Sequence, residues 1–350
     1  MNKKNGLLWG IVIAVVVVLA LAWPKISTTF QAKESNWPEK DITMVVPFNP
    51  GGGTDLTTRA LADEMAKDLG VNISVVNTPG ASGSVGTLNV QNANHDGYTM
   101  LGNGFMAFVS YPVMGYTEQT HRDWNIWIAT FSPNVIAVNE NSKYKDINGL
   151  MKNLKDNPGS VSFGTAGIGT GGHIASEVLK SSLGFDYKHV PYQGGNPAIL
   201  AALSGEVDLV PQLSMEMVDM LRGNKLNGLA ALTDKPFKIE GADPIPSILD
   251  VNPELKSIVP LGESFGIAVP KDTPKDVVDK IDKAFKKAID SESMKKFANE
   301  KGVEVLGYSG NEAQKYVDKL ASTVNWALYD GGVAKISPEK FDISKPEKGE

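Results

Sequence analysis

The sequence predicts an α/β protein of two similar lobes. From Trp37 to about Gly332 short β-branched runs alternate with amphipathic stretches, which is the rhythm of βαβ units. The succession of strand, glycine-rich turn, helix and strand occurs twice, and two such units imply two lobes. A composition of 42% hydrophobic and 21% charged residues over 350 positions is ordinary for a soluble globular chain of two or three domains.

The elements follow in order. Asp41–Phe48, DITMVVPF, has the short, β-branched apolar run of a buried strand. Thr54–Gly70 predicts a helix whose apolar face carries Leu61, Met65 and Leu69, and Asn72–Asn77 is the next strand. In DWNIWIA, Trp124 and Trp127 sit in a strand-like alternation and are expected in the core. The second unit runs through Val161–Ala166, a glycine loop, a helix over His173–Gly184 and a strand over Tyr187–Tyr192. After Pro270 the pattern turns helical, over Asp276–Asp290 and Gly310–Gly332, around a short strand at Val303–Ser309. Ser337 onward is polar with two prolines and predicts a frayed tail.

Several chemistries are excluded before any motif is read. Thirty-four Lys and Arg against forty Asp and Glu give a formal charge of −6 with no basic block, so the footprint of a nucleic-acid binder is missing. No cysteine is present, which removes disulfides, thiolate metal sites, thiol nucleophiles and a bacterial lipoprotein anchor. The four histidines, His95, His121, His173 and His189, show no HExxH or HxH spacing, so no metal and no cofactor is expected.

The first segment is a targeting element. Lys3 and Lys4 precede an uncharged run from Leu7 to Trp23, the order of an export signal. Two outcomes stay open: a cleaved signal, for which Ala20-Leu21-Ala22 is the only A-x-A-like cut, or a retained anchor in which residues 7–23 touch the membrane and Ile26 to Asn36 form a tether.

The chemistry lies in two glycine turns. In PFNPGGGTD (Pro47–Asp55) a strand runs into three glycines and a helix start, so unhindered amides and the positive helix end face one spot. Thr54 and Thr57 add hydroxyls, and Asp55 is placed to cap the helix. FGTAGIGTGGH (Phe163–His173) repeats the pattern, with Thr165 and Thr170 as hydroxyls and His173 at the helix start. Two anion-type loops at the C-terminal ends of strands imply one ligand held between the lobes. Gly167–Gly172 matches G-x-G-x-x-G, but the acidic residue that a dinucleotide fold needs at the end of the next strand is missing, and neither GxxxxGK[ST] nor GxSxG occurs.

The segments WPEKDITMVVPFNPGGGTDLTTRALA, NTPGASGSVGT, HDGYTML, FGTAGIGTGGH, HVPYQGG and GEVDLV followed by GLAALT resemble, in family order, the extracytoplasmic solute receptors of tripartite tricarboxylate transporters, the Bug family. The resemblance covers about Trp37 to Gly332. It implies a type II periplasmic-binding-protein fold with two crossovers, near Ser132–Val135 and Ser264–Ile267. The expected organisation is an export or anchor segment over residues 1–36, a discontinuous first lobe over 37–133 and 266–336, a second lobe over 134–265 and a tail over 337–350. It also implies a monomer that grips a ligand carboxylate with the two glycine loops and delivers it to membrane transporter subunits. The ligand set carried by the motifs is Phe48, Gly52, Gly53, Thr54 and Asp55 in one lobe, and Thr165, Ala166, Gly167, Gly169, Thr170, His173 and Tyr192 in the other.

The chain departs from the family where Thr78 and Gln193 replace residues that are often basic, so the pocket is less cationic than usual. Phe105 and Met106 follow the LGNG turn and either line the cleft beside an apolar ligand body or pack in the core. His173 either donates to the anion or satisfies the loop backbone, and Asp208 in GEVDL resembles an Asp beside the hinge that meets the far end of the ligand. The expected activity is binding without catalysis. The alternatives are a membrane-tethered carboxylate sensor and an exported α/β enzyme on a carboxylate or phosphate ester, for which His173 is the only plausible base.

Overall fold

Among the described residues are ten strands and ten α-helices, arranged about the sixteen-residue strand β4 (Trp124–Asn139), whose aromatic and β-branched sequence WNIWIATFSPNVIAVN favours extended backbone. The computed structural model describes residues 36–192 and 194–346. The export segment expected over residues 1–35 lies outside the described residues. From Pro38 onward the chain packs as one unit.

The first sheet has the order β2 (Ile73–Asn77), β1 (Ile42–Val46), β3 (Thr99–Gly104), β9 (Gly262–Pro270), β4, β10 (Glu304–Ser309). β1 lies parallel to β2 and β3, whereas β9 is antiparallel to both β3 and β4. The second half of β4 pairs antiparallel with β7 (Val210–Leu213) and β8 (Leu226–Ala231). β5 (Ser162–Thr165) and β6 (Lys188–Pro191) are parallel to each other, and the Gly164 amide ties β5 to the Leu209 carbonyl just before β7. This is the two-lobe periplasmic-binding-protein fold expected from the sequence.

β4 changes partner within two residues: Pro133 pairs with Gly262 of β9, and Asn134 with Leu213 of β7. Proline has no amide to lose from a ladder, so the break falls where it costs least. A Cβ on Gly262 would lie 2.6 Å from Pro133 Cα, so only glycine allows the two strands to close here. Ser132 Oγ and Asn134 Nδ2 replace the interrupted ladder by bonding Ser214 Oγ at 2.9 Å and the Pro211 carbonyl at 2.9 Å.

The helices cover both faces. α1 (Gly53–Leu69) buries Leu61 and Met65 and ends in a left-handed Gly70, as the sequence pattern predicts. α2 (Ser84–Gln91) and α3 (Phe105–Met114) follow β2 and β3, and α4 (Ile147–Asp156) precedes β5. α5 (Gly171–Leu183), α6 (Gly195–Ser204) and α7 (Ser214–Arg222) each start directly after a strand or its turn. α8 (Lys275–Asp290), α9 (Glu292–Lys301) and α10 (Gly310–Asp330) form the helical C-terminal part. Trp124 and Trp127 are buried, as expected.

The tail differs from expectation. Residues 338–341 form a short 3-10 turn, Ile343 is only 3% exposed, and Trp326 Nε1 donates to its carbonyl at 3.0 Å. Arg122 Nη1 reaches the Phe341 and Asp342 carbonyls. One buried isoleucine and these carbonyl contacts anchor a segment whose composition is that of a loose end. Ile343→Ala is expected to lower the unfolding free energy by about 2 kcal/mol or more. Chemical denaturation of the two proteins checks this, and equal stabilities would put the tail in solvent.

Candidate functional site

Helix starts converge at the C-terminal ends of the strands, where an open α/β sheet has its crevice. α1 begins after Gly51, which is left-handed (φ 85°), and its N-cap Gly52 offers no side chain to the first-turn amides. α5 begins after Gly167 and Gly169 (φ 130° and 77°), again without a side-chain cap, and α6 does the same after Gly194. Uncapped first-turn amides and the positive helix end favour an anion.

Contacts bring the loops to one place. A Cβ on Gly169 would lie 3.9 Å from Ser82 Oγ, in the turn before α2. Ala81 and Ser82 in that turn both have positive φ, a strained state for non-glycine residues, and Tyr111 Oη holds the turn through the Ser82 carbonyl at 3.0 Å. Phe48 packs its ring on Gly83. Gly171 faces Met106, Leu213 and Glu263 within 3.9 Å of where its Cβ would sit.

Several candidate residues make contacts that support the loops. Asp55 does not cap its helix: Oδ2 accepts the Gly51 amide at 2.9 Å, and the carboxylate pairs with Arg59 and Asn77. Its pKa is lowered by those hydrogen bonds against the penalty of burial. Gly53 is enclosed, since a Cβ there would lie 2.6 Å from Met215 Sδ and from the Phe265 ring. Gly52 by contrast opens to free space, with only the Asn49 carbonyl at 3.9 Å.

In the second loop, Thr170 Oγ1 donates to the Gly167 carbonyl at 2.8 Å and Thr165 Oγ1 bonds His189 Nε2 at 2.6 Å. His173 is 4% exposed, accepts the Gly169 amide on Nδ1 at 3.2 Å and stacks on His189 at 4.3 Å. Burial holds its pKa down to about 4, so the ring is neutral and braces the loop. Of the two roles open to His173, the contact present is the one to the loop backbone, where Nδ1 takes the Gly169 amide. Ala166 takes the Gly194 amide on its carbonyl, and Tyr192 Oη donates to Glu206.

Three further candidates, each with two roles open, have the following contacts. Asp208 accepts from the Ser162 amide and hydroxyl at 2.8 Å, at the N-terminal end of β5, and so lies about 10 Å along the strand from Thr165. It closes a strand-end turn. Phe105 is fully buried against Phe108, in an edge contact at 5.5 Å. Met106 is likewise buried, with its sulfur directed at Gly171 and its amide donated to Glu263 Oε1 at 2.6 Å.

Glu263, Glu216 and Gln212 were missed. Glu263 is 6% exposed on β9, and burial, opposed by the α3 amides, pushes its pKa up to about 8. Glu216 keeps partial exposure, yet desolvation raises it to about 7. A charged residue inside the otherwise apolar strand run of β9 was the available signal. Gln193 lies outside the described residues, and among those described no group of three or more His, Cys, Asp or Glu is placed to hold a metal ion. A groove of about 380 Å³ elsewhere, around Arg222, Glu240 and Lys296, is not a competing site: Arg222 spends its guanidinium on the Glu240, Asn299 and Glu300 carbonyls.

The family model for the tripartite tricarboxylate transporter family receptor matches residues 57–326. The chain belongs to this family. The receptor is 31% identical over 308 residues to a UPF0065 protein from the tcbD-tcbE intergenic region of a Pseudomonas species, covering 84% of this chain and 86% of that one. It is 25% identical over 306 residues to BugT of Bordetella pertussis, covering 82% and 90% of the two chains. Among solved structures it is similar to the periplasmic binding protein BugD, at 28% identity and a TM-score of 0.70 over 85% of this chain and 100% of that one. An R. palustris protein solved with adipate matches at 25% identity and a TM-score of 0.71, over 85% and 99%. The receptor is therefore a solute-binding protein and not an enzyme, and its family acts outside the cytoplasm. Among the described residues no helix is long and apolar enough to cross a membrane.

The buried carboxyl of Glu263 has a sign that can be tested. Its folded pKa lies above that of an unfolded glutamate, so its contribution to stability is complete below about 4.5 and is lost as pH rises through about 8. His173 acts oppositely, its contribution being complete above about 6.5 and lost as pH falls through about 4. Glu263→Gln keeps an acceptor for the Met106 amide and removes the charge, so its melting temperature is expected to fall less than that of the parent between pH 5 and pH 8.5. Parallel melting curves would contradict the assignment.

Proposed function

We propose that the receptor captures a small carboxylate at the crevice where α1 and α5 begin and presents it to the membrane subunits of a tripartite tricarboxylate transporter. The supporting observation is the pair of uncapped, glycine-opened helix starts at strand ends, with the loop before α5 approaching Ser82 in the turn on which Phe48 packs. The adipate held by a structural relative is consistent with this class of ligand. In this reading Gly52, Thr54, Gly167 and the first turn of α5 meet the ligand. Phe48, Gly53, Asp55, Thr165, Ala166, Gly169, Thr170, His173 and Tyr192 hold the loops in shape.

We place the crossovers at Pro133–Asn134 and at Leu261–Gly262. The Leu261 carbonyl accepts from Asn134 and its amide donates to Leu232, so Leu261 belongs with the β7–β8 side, whereas Gly262 begins the pairing with β4. The second boundary is thus four residues earlier than 265/266. Lys3, Lys4 and the Leu7–Trp23 run support export of the body.

A thermal-shift screen against mono-, di- and tricarboxylates tests the ligand class, and one present at a hundred times its Kd adds about 2.7 kcal/mol of stability. Methyl esters of the binding acids are expected to fail, and an ester that binds as tightly as its acid overturns the reading. Gly52→Val places its Cβ no closer than 3.9 Å to the Asn49 carbonyl, and is expected to cost about 1 kcal/mol as a poorer N-cap while abolishing binding in a chain that still folds. Thr54→Val removes one donor to a charged acceptor and is expected to weaken binding about ten- to a hundredfold.

Cell fractionation tests export. The body is expected outside the cytoplasm, and N-terminal sequencing separates a cleaved from a retained segment. A full-length chain soluble in the cytoplasm would sink the proposal.

A further inference from the structure

Arg222, the last residue of α7, closes a helix that is not its own. α9 ends at Lys301, and Gly302, left-handed at φ 59°, takes the chain out of it. The last carbonyls of a helix have no partner within that helix. The Ala298 carbonyl accepts the Val303 amide at 3.0 Å, whereas the Asn299 carbonyl is reached by the Gly302 amide only at 3.4 Å. Arg222 completes the end: Nη1 donates to the Glu300 carbonyl at 3.1 Å and Nη2 to the Asn299 carbonyl at 3.1 Å, while Nε donates to the Glu240 carbonyl at 2.8 Å. The helix dipole favours a cation at this end as well.

These bonds run between the lobes. With the crossovers at Pro133–Asn134 and Leu261–Gly262, α7 and the segment carrying Glu240 lie in the second lobe and α9 lies in the first. α7 begins at the crevice, where Met215 Sδ meets Gly53, and Arg222 sits about 10 Å farther along the helix. Near the crossing the seam is packed, with Ser214 Oγ donating to the Gly302 carbonyl at 3.0 Å and Met215 among Phe265, Ala298 and Val303. Farther out it is open. Grooves of about 380 and 410 Å³ run along it, and Glu240 and Asn299, two of the residues whose carbonyls Arg222 bonds, line both. The guanidinium is otherwise held loosely, by the exposed Asp219 at 3.7 Å on the same helix.

We propose that Arg222 is a clamp between the lobes: by capping α9 from the opposite lobe it sets the angle at the crossovers, and so positions the starts of α1 and α5 relative to each other. It touches no ligand, and its role is one of positioning. The inference rests on the crossover placement and is independent of the ligand taken. A guanidinium is a planar fork that bonds carbonyls of two segments at once, so the directions of its bonds fix how α7 approaches α9; a lysine ammonium is a point charge that cannot reproduce them. Rotation about the crossovers breaks the Asn299 and Glu300 bonds but keeps the Glu240 bond, because Glu240 moves with α7. The grooves admit water to the freed carbonyls, so the clamp opens without leaving them unpaired.

The test measures distances between spin labels on the purified full-length chain, which has no cysteine of its own. Lys152→Cys in α4 with Lys275→Cys in α8 puts one label on each lobe at exposed positions, and Lys67→Cys with Lys275→Cys is a pair within the first lobe. Arg222→Ala is expected to broaden the interlobe distribution and to shift its mean by several ångströms, and Arg222→Lys to retain most of that change. The within-lobe pair is expected to stay as in the parent. Arg122→Ala, which removes a guanidinium bonded to carbonyls of the tail, is expected to leave the interlobe distance unchanged. If Arg222→Ala does not fold, Arg222→Lys carries the comparison. An interlobe distribution that neither variant alters overturns the clamp and leaves the crossovers in place. A parent-like distribution in Arg222→Lys beside an altered one in Arg222→Ala also overturns it, because charge and not the fork would then suffice. A within-lobe pair that moves as far as the interlobe pair overturns the division into lobes on which the clamp rests.

Discussion

Strand β4 bonds to two sheets at once, to β9 and β10 through Pro133 and to β7 and β8 from Asn134 onward. A strand cannot change neighbours without breaking a ladder, and the missing amide of Pro133 places that break where no donor is lost. Because the strand is continuous, the C-terminal ends of β1 and β3 and those of β5 and β7 point at a common crevice. Every contact at the site, from Gly169 against Ser82 to Gly171 against Glu263, depends on that shared strand.

Local electrostatics then decide what the crevice can hold. The chain is net acidic at −6, yet charges farther away than a Debye length of roughly 8 Å are largely screened from an uncapped helix start. At the helix starts a few groups set the balance: the first turns of α1, α5 and α6 have no side-chain cap, and the carboxyls of Glu263 and Glu216 approach α5 and α6. The loops owe their shape to side chains that are themselves satisfied. His173 Nδ1 and Thr170 Oγ1 bond the backbone of the second loop and Thr165 Oγ1 ties it to His189, as Asp55 takes the Gly51 amide in the first.

Much of the fold was legible because it is written in local pattern. The apolar face of α1, the β-branched runs of β1 and β2 and the glycines ending or opening helices each follow from spacing alone. The docked tail was not legible, since two buried residues, Pro338 and Ile343, and carbonyl contacts from Arg122 and Trp326 leave no periodic trace. Nor was the division of labour within the glycine loops: Gly52 and Gly53 are adjacent and identical in sequence, and only the positions of Met215 and Phe265 make one open and the other enclosed.

By itself the sequence determined the fold class, the family and the location of the two glycine loops, because these depend on residue types at short, fixed spacings. The tertiary structure decided which polar atoms remain available. Glu263 is 157 residues from Met106 along the chain, and Gln212 is about forty from Gly172. Their proximity arises from the double pairing of β4 and not from any local preference. Whether a side chain meets a ligand or braces a loop is settled by which neighbour reaches it first. That is a property of long-range packing, which no window of sequence contains.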